Sequence, residues 1–190
     1  MTIFLILAPY GAFAMLMLVS SATTSLFVAA AICLAVITHD VLRGRSIKML
    51  GAGSALVFAA LGCYLTVTAA TWSGSAVKLA VDAGVLSIAL VSLAICRPFT
   101  LQYAREMVDE KTAQLPSFLS ANYVITWAWV LAFLLMMLAN VLLIYVPGLP
   151  LWSALAIAFA ARHTAIYFSR WYPEYRKAKL ASPGVTPSGS

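Results

Sequence analysis

The chain has 190 residues, of which 63% are hydrophobic and only 9% charged, whereas soluble globular domains carry about 25% charged residues. Its mean hydropathy of +0.96 excludes a disordered chain, a soluble enzyme domain and a nucleic-acid-binding domain. The net charge is +6, from 12 basic and 6 acidic residues, but the basic residues lie scattered between apolar runs and form no groove-sized patch, so nucleic acid is not an expected partner.

A membrane-spanning helix needs ~20 mostly apolar residues. A β-barrel strand needs ~10 residues of alternating polarity. The apolar runs here are twice that length and do not alternate. The expected fold is therefore all-α: a polytopic transmembrane helical bundle of five to six spans with a short cytoplasmic interfacial amphipathic helix. Residues 1–172 are expected to form a single transmembrane domain. Residues 173–190 read as a basic and then disordered cytoplasmic tail, rich in Pro, Gly and Ser from Ala181 onward.

In chain order, the first apolar segment is Ile3–Val19, with Pro9-Tyr10-Gly11 as an interruption. No Lys or Arg precedes it, so it lacks the basic n-region of a signal peptide and is expected to be retained. The second segment is Ser25–Thr38. The short linker Ser20–Thr24 allows this pair to be two brief spans or a re-entrant hairpin. Met49–Trp72, Val77–Ile95, Tyr123–Val146 and Leu151–Trp171 follow. The Val146-Pro147-Gly148-Leu149-Pro150 linker reads as a tight turn.

Charge placement sets the expected topology. Arg43, Arg45 and Lys48 follow the second segment; Arg97, Arg105 and Lys111 follow the fourth; Arg170, Arg176, Lys177 and Lys179 follow the sixth. These are alternate connections, so six spans place all ten on one side and leave only Lys78 on the other. Cytoplasmic loops carry the Lys/Arg excess. The expectation is a bacterial inner-membrane protein with both termini cytoplasmic. Trp72 and Trp152 fall at outer edges, and Trp127, Trp129 and Trp171 near inner ones, where indole rings favour the interface.

The long connection 97–120 is the expected interfacial segment. Pro98 breaks the preceding helix and Thr100 is placed to cap a new one. Leu101, Ala104, Met107 and Val108 share a helical face, and Arg105 and Asp109 stand at i,i+4. An amphipathic helix on the inner leaflet is a docking surface, with Arg97, Arg105, Glu106 and Asp109 as its candidate contact residues. Other integral membrane proteins and membrane lipids are the expected partners.

Polar groups within spans are costly and are functional candidates by default. Asp82, Asn140, Arg162 and His163 are the candidate intramembrane site. Lys78, four residues before Asp82, offers a local ion pair. Asn140 offers an interhelical hydrogen bond. Asp40 is the carboxylate expected on the same side as Arg162, so that His39-Asp40 and Arg162-His163 would form a polar cluster near the inner leaflet. Small residues at four-residue spacing, Gly51, Ala55, Ala59 and Cys63, allow close helix approach, as do Ala154 and Ala158, and Ala161 and Ala165 on another face. They serve intramolecular packing or a homo-oligomer. Cys33, Cys63 and Cys96 read as buried small hydrophobes, with Arg97 beside Cys96 favouring a thiolate there. No HExxH, GxSxG or phosphate-binding glycine loop occurs. No catalytic residue, metal ligand or cofactor is expected, and the chain is read as not an enzyme.

The layout resembles one known family. A short apolar N-terminus leads to a basic loop (Arg43 to Lys48), two spans and an Arg97-Pro98 amphipathic segment. A tryptophan-led span follows, from Trp127-Ala128-Trp129 to Leu138-Ala139-Asn140-Val141, and then a final span and a basic tail. This is similar to the bacterial intracellular septation protein A family, across most of Ile3 to Tyr172. The resemblance implies a non-enzymatic scaffold or accessory subunit in cell-envelope and division-related assemblies. The stretch Phe99 to Glu106 is more regular and amphipathic than that family suggests. The alternative is a small oligomeric transporter or channel for a small solute or ion, with the four intramembrane polar residues lining its path.

Overall fold

A computed structural model describes residues 2–146 and 148–181. The described chain is helical throughout: α1 (Thr2–Val19), α2 (Ala22–Leu42), α3 (Met49–Thr68), α4 (Gly74–Ala94), α5 (Phe99–Arg105), α6 (Glu110–Ala113), α7 (Pro116–Tyr145) and α8 (Leu151–Ala181). Four of these, α2, α3, α4 and α7, are long and apolar enough to cross a membrane. Over Ala8–Val19, the part of α1 whose side chains the structure describes, α1 is apolar as well. The 31-residue α8 carries Arg162 and His163 well inside its length. Most of the tail expected to be disordered, from residue 182 onward, lies outside the described residues, as does Pro147 of the expected tight turn. The tail's basic part continues α8 through Pro173.

Local chemistry explains most of the boundaries. Ser21 and Ser73 cap α2 and α4, each side-chain oxygen accepting a backbone N–H, from Thr24 at 3.1 Å and from Ala76 at 3.2 Å. This satisfies donors that the first turn would otherwise leave bare. Pro116 opens α7, where its missing N–H costs nothing. The expected interruption at Pro9-Tyr10-Gly11 does not occur. The helix α1 runs through a buried Pro9, where packing against neighbouring helices offsets the hydrogen bond that proline removes.

The long helices pack in chain order: α1 on α2, α2 on α3, α3 on α4, α4 on α7 and α7 on α8, with α5 tucked mainly against α7. The core holds Leu26, Ala29, Phe58, Val77 and Ala89, and α7 adds Val130 and Phe133. In lipid this packing is held by close contact rather than by escape from water.

Closest approach uses residues outside the expected small-residue stripe of α3. A Cβ on Gly84 of α4 would stand 2.6 Å from Val57 Cγ1 and 2.8 Å from Val57 Cγ2, and one on Gly53 of α3 would meet Ile88 Cδ1 at 2.7 Å. The stripe itself is mixed, with Ala55 buried and Cys63 exposed. In α8, Ala161 and Ala165 pack on Ala132 of α7, which assigns that face to intramolecular packing. Valine is stiff in a helix, so overpacking at Gly84 costs about 1–3 kcal/mol, more than the ~1 kcal/mol alanine gains in helix propensity. Gly84→Ala is therefore expected to lower the melting temperature in detergent. Gly53→Ala, which meets Ile88 Cδ1 and Cγ1 at 2.7 and 2.8 Å, is expected to lower it by a similar amount, since isoleucine is as stiff in a helix. An undiminished Tm in Gly84→Ala would mean that α3 and α4 are free to separate there.

The connections rich in Lys and Arg share one end of the bundle. The α2–α3 loop touches the stretch after α5 through Ser46 and Glu106, 3.5 Å apart. Near the end of α8, Arg176 Nη1 donates to Ser120 Oγ at the start of α7, at 3.3 Å.

The expected amphipathic helix over 97–120 is replaced by two short helices broken at 106–109. The seven-residue α5 does not lie free, because Phe99, Thr100 and Leu101 are buried in the bundle. Thr100 is not its cap. Pro98 takes that position without a side-chain bond, while Thr100 Oγ1 is 2.7 Å from Thr126 Oγ1 and donates to the Asn122 carbonyl at 3.0 Å. Met107, placed by sequence on the apolar face, is 78% exposed.

Candidate functional site: an intramembrane polar centre

Helix geometry places three of the four sequence candidates at depths within about 8 Å of one another. At 1.5 Å per residue, Asp82 lies about 12 Å into α4, Asn140 about 8 Å before the end of α7, and Arg162 about 16 Å into α8. Asn140 Nδ2 donates to Asp82 Oδ2 at 2.7 Å and also faces its own Met136 carbonyl at 3.3 Å. The Arg162 guanidinium is within electrostatic reach of the Asp82 carboxylate and of Tyr10 on α1. Asp82, Asn140, Arg162 and Tyr10 are all half-buried.

Tyr10 extends the centre. Its hydroxyl is hydrogen-bonded to Ser54 Oγ of α3, and Ser54 Oγ donates to the Leu50 carbonyl at 2.7 Å. A serine has one proton to give, so Tyr10 is the donor in their bond. Sequence reading missed both residues. A tyrosine one residue after a proline in an apolar run carries no signal that its hydroxyl meets a serine 44 positions away.

Other pairings differ from expectation. Among the described residues Lys78 makes no ion pair with Asp82; its charge acts on that carboxylate, but less strongly than Asn140 and Arg162 do. The cluster of His39-Asp40 with Arg162-His163 does not form. Asp40 lies 3.6 Å from Arg45 Nη1 and 3.8 Å from His39 Nδ1. His163 is exposed and turns back on Phe159, with ring centroids 3.7 Å apart and Nδ1 2.9 Å from the Phe159 carbonyl oxygen. It stands apart from the centre. Trp129, expected at the headgroups, instead donates from Nε1 to Ser169 Oγ at 3.0 Å and pins α7 to α8.

The four docking candidates separate into two pairs. Arg97 and Arg105 are exposed. Glu106 faces inward to an ion pair with Lys48. Asp109 caps α6, where its carboxylate accepts from Thr112 N at 3.2 Å and Thr112 Oγ1 at 2.6 Å. Those bonds hold the Asp109 carboxyl below the usual carboxylate range, because they favour its charged form. Asp109 therefore serves the fold of α6, and among the described residues it makes no ion pair with Arg105.

Lys48 is the buried cation that the charge pattern placed with the solvated loop residues. It is only 4% exposed. Its Nζ pairs with Glu106 and donates to the Ser46 carbonyl at 2.9 Å, and it lies 5.9 Å from the centre of the Tyr103 ring. Beside it, Gln102 Oε1 accepts from Met49 N at 2.6 Å. Together these bonds clamp the α2–α3 loop to α5. Burial holds the Tyr103 hydroxyl above its ordinary value, so it remains a neutral group against that cation.

Cys33 is buried, while Cys63 and Cys96 are exposed, which corrects the expectation that all three pack inside. Among the described residues no group of three or more His, Cys, Asp or Glu side chains is placed to hold a metal ion. Neither a family model, nor a curated protein, nor a solved structure matches this chain.

Proposed function

We propose that this chain is a small polytopic membrane protein of the transporter or channel class, passing a proton or small cation through the Asp82 centre. In this reading α1 and α8 cross the membrane with α2, α3, α4 and α7, and the basic end faces the cytoplasm of a bacterial inner membrane under the positive-inside rule. One observation carries it: Asn140 of α7 donates to the Asp82 carboxylate of α4 inside the bundle, with the Arg162 guanidinium of α8 within electrostatic reach. Ionisable groups at such positions face the bundle interior or a water-filled path and mark ion and proton routes. Asp82 is the ion-carrying carboxylate, Asn140 orients it, and Arg162 sets the field around it.

The test is flux from proteoliposomes under an imposed potential, read with an internal pH dye and then with alkali-metal gradients. Wild type is expected to dissipate one gradient. Asp82→Asn, close in shape, is expected to lose at least tenfold of that flux while reaching the membrane in equal amount. Absence of flux in wild type, or full flux in Asp82→Asn, overturns the reading.

A second reading is favoured by the exposed Arg97 and Arg105 on the basic face and by the resemblance to the septation protein family. There the protein is a non-enzymatic scaffold or accessory subunit, docked through those two arginines. Reversal of both charges would then release a membrane companion that co-purifies with wild type. A homo-oligomer purified without companions supports transport instead.

A further inference from the structure

A second polar cluster adjoins the Asp82 centre through Tyr10 and Ser54. Between α1, α2, α3 and α5 sits a cavity of about 40 Å³ whose lining includes Tyr10, Cys33, Asp40, Lys48, Ser54 and Tyr103. About 10–15 Å³ of space for a water's centre suffices to hold one molecule, which needs two to four polar partners. Val36, Ile37, Ile47 and Leu50 make much of this wall apolar, but it also carries two phenols, a hydroxyl, a carboxylate and an ammonium, so it has room and partners for at least one water.

Its two sides face different places. Lys48 and Tyr103 belong to the clamp at the basic end of the bundle, where Glu106 holds Lys48 and Gln102 holds the backbone of Met49. Tyr10 belongs to the interior. Its hydroxyl touches Ser54 and is within electrostatic reach of both Asp82 and Arg162. The cavity therefore stands between the basic face and the Asp82 centre, with Tyr10 common to both. The part of the wall that an ion pair can open is the Lys48–Glu106 contact, since Glu106 lies 28% exposed at the surface while Lys48 is sealed beneath it.

We propose that this cavity is a water-holding proton-entry site for the Asp82 centre, and that the Lys48–Glu106 ion pair is the latch closing it from the basic face. The proposal rests on the reading of Asp82 as the conducting carboxylate. Breaking the latch leaves Lys48 with a buried, unpaired charge, which draws water toward it.

Cys33 reports on the latch directly, because its thiol lines the cavity and the other two cysteines are removable. In a Cys63→Ala/Cys96→Ala background reconstituted in nanodiscs, Cys33 is expected to react slowly with a small cationic methanethiosulfonate. Glu106→Gln is expected to speed that reaction at least tenfold, and the Lys48→Glu/Glu106→Lys exchange to return it toward the slow rate. No acceleration in Glu106→Gln overturns the latch. Equal acceleration in the exchanged pair signals general loosening and also overturns it. Proton flux in the same proteins separates the two proposals. Faster labelling together with raised flux that Asp82→Asn abolishes supports both. Faster labelling with no flux in any variant leaves a latched, water-accessible cavity but removes its role in proton entry. Flux that depends on Asp82 but ignores Glu106→Gln, with unchanged labelling, removes the latch and keeps the Asp82 reading.

Discussion

Asp82→Ala is expected to destabilise the folded bundle in detergent by about 1–3 kcal/mol, the range for leaving a polar partner without its hydrogen bond. Two losses combine. The Asn140 amide loses the acceptor that sits 2.7 Å away, and the Arg162 guanidinium loses the carboxylate whose field offsets its removal from water. Arg162→Gln is expected to cost less, because the polar replacement leaves Asp82 still bonded to Asn140. The Asp82→Asn/Arg162→Gln double variant is expected to fall well short of the sum of the two single changes. Residues in one electrostatic network couple by 0.5–3 kcal/mol, whereas distant ones add. A double-mutant cycle on reversible unfolding in mixed micelles measures this. Strictly additive costs would mean that the two charges ignore each other, and the polar centre would lose its basis as a unit.

Phe58→Ala has the larger expected effect, about 3–5 kcal/mol from the packing lost around the vacated ring. Phe58 is 1% exposed and adds a ring contact from α3 to the packing of α1 on α2. Tyr10 and Phe13 place their ring centroids 5.8 and 5.4 Å from it. Lipid chains are as apolar as phenylalanine, so the loss comes from dispersion contacts and ring geometry rather than from exposure to water. The specific consequence is local. Hydrogen exchange in α1 should rise before that in α7 and α8, and the Tyr10–Ser54 bond should go with it. Uniform loosening of all helices would contradict a contribution of this side chain that is specific to α1.

The two predictions differ in how far sequence reaches them. Asp82, Asn140 and Arg162 stand out in any hydropathy reading, because each interrupts an apolar run, and their convergence needed only the knowledge of which helices touch. That knowledge is absent from one sequence. The plausible partners were Lys78, four residues from Asp82, and Asp40, at the right end for Arg162. Packing of α4 on α7 and of α7 on α8 decided otherwise. Tyr10 and Ser54 were invisible for a different reason, since serine and tyrosine are ordinary in membrane helices and become informative only when they meet.

The same contrast holds for the docking surface. The sequence Phe99 to Asp109 alternates at helical spacing, and a single amphipathic helix on the leaflet follows from that pattern. The chain spends the pattern on the bundle instead. Phe99, Thr100 and Leu101 go into the core, Gln102 and Glu106 bond the α2–α3 loop, and Asp109 starts a new helix with Thr112. A hydrophobic face buries itself equally well in lipid or in protein, and periodicity does not distinguish the two.

What the amino-acid sequence determined by itself is the helical class, the four stretches in α2, α3, α4 and α7 long and apolar enough to cross a bilayer, and the alternate spacing of basic connections. These follow from length and transfer free energy, which are properties of each segment alone. What only the tertiary structure decided is which polar groups share a site: Asn140 with Asp82, Tyr10 with Ser54, and Lys48 with Glu106. Each pair is separated by more than forty residues, and only the packing of helices whose apolar surfaces are nearly interchangeable brings it together.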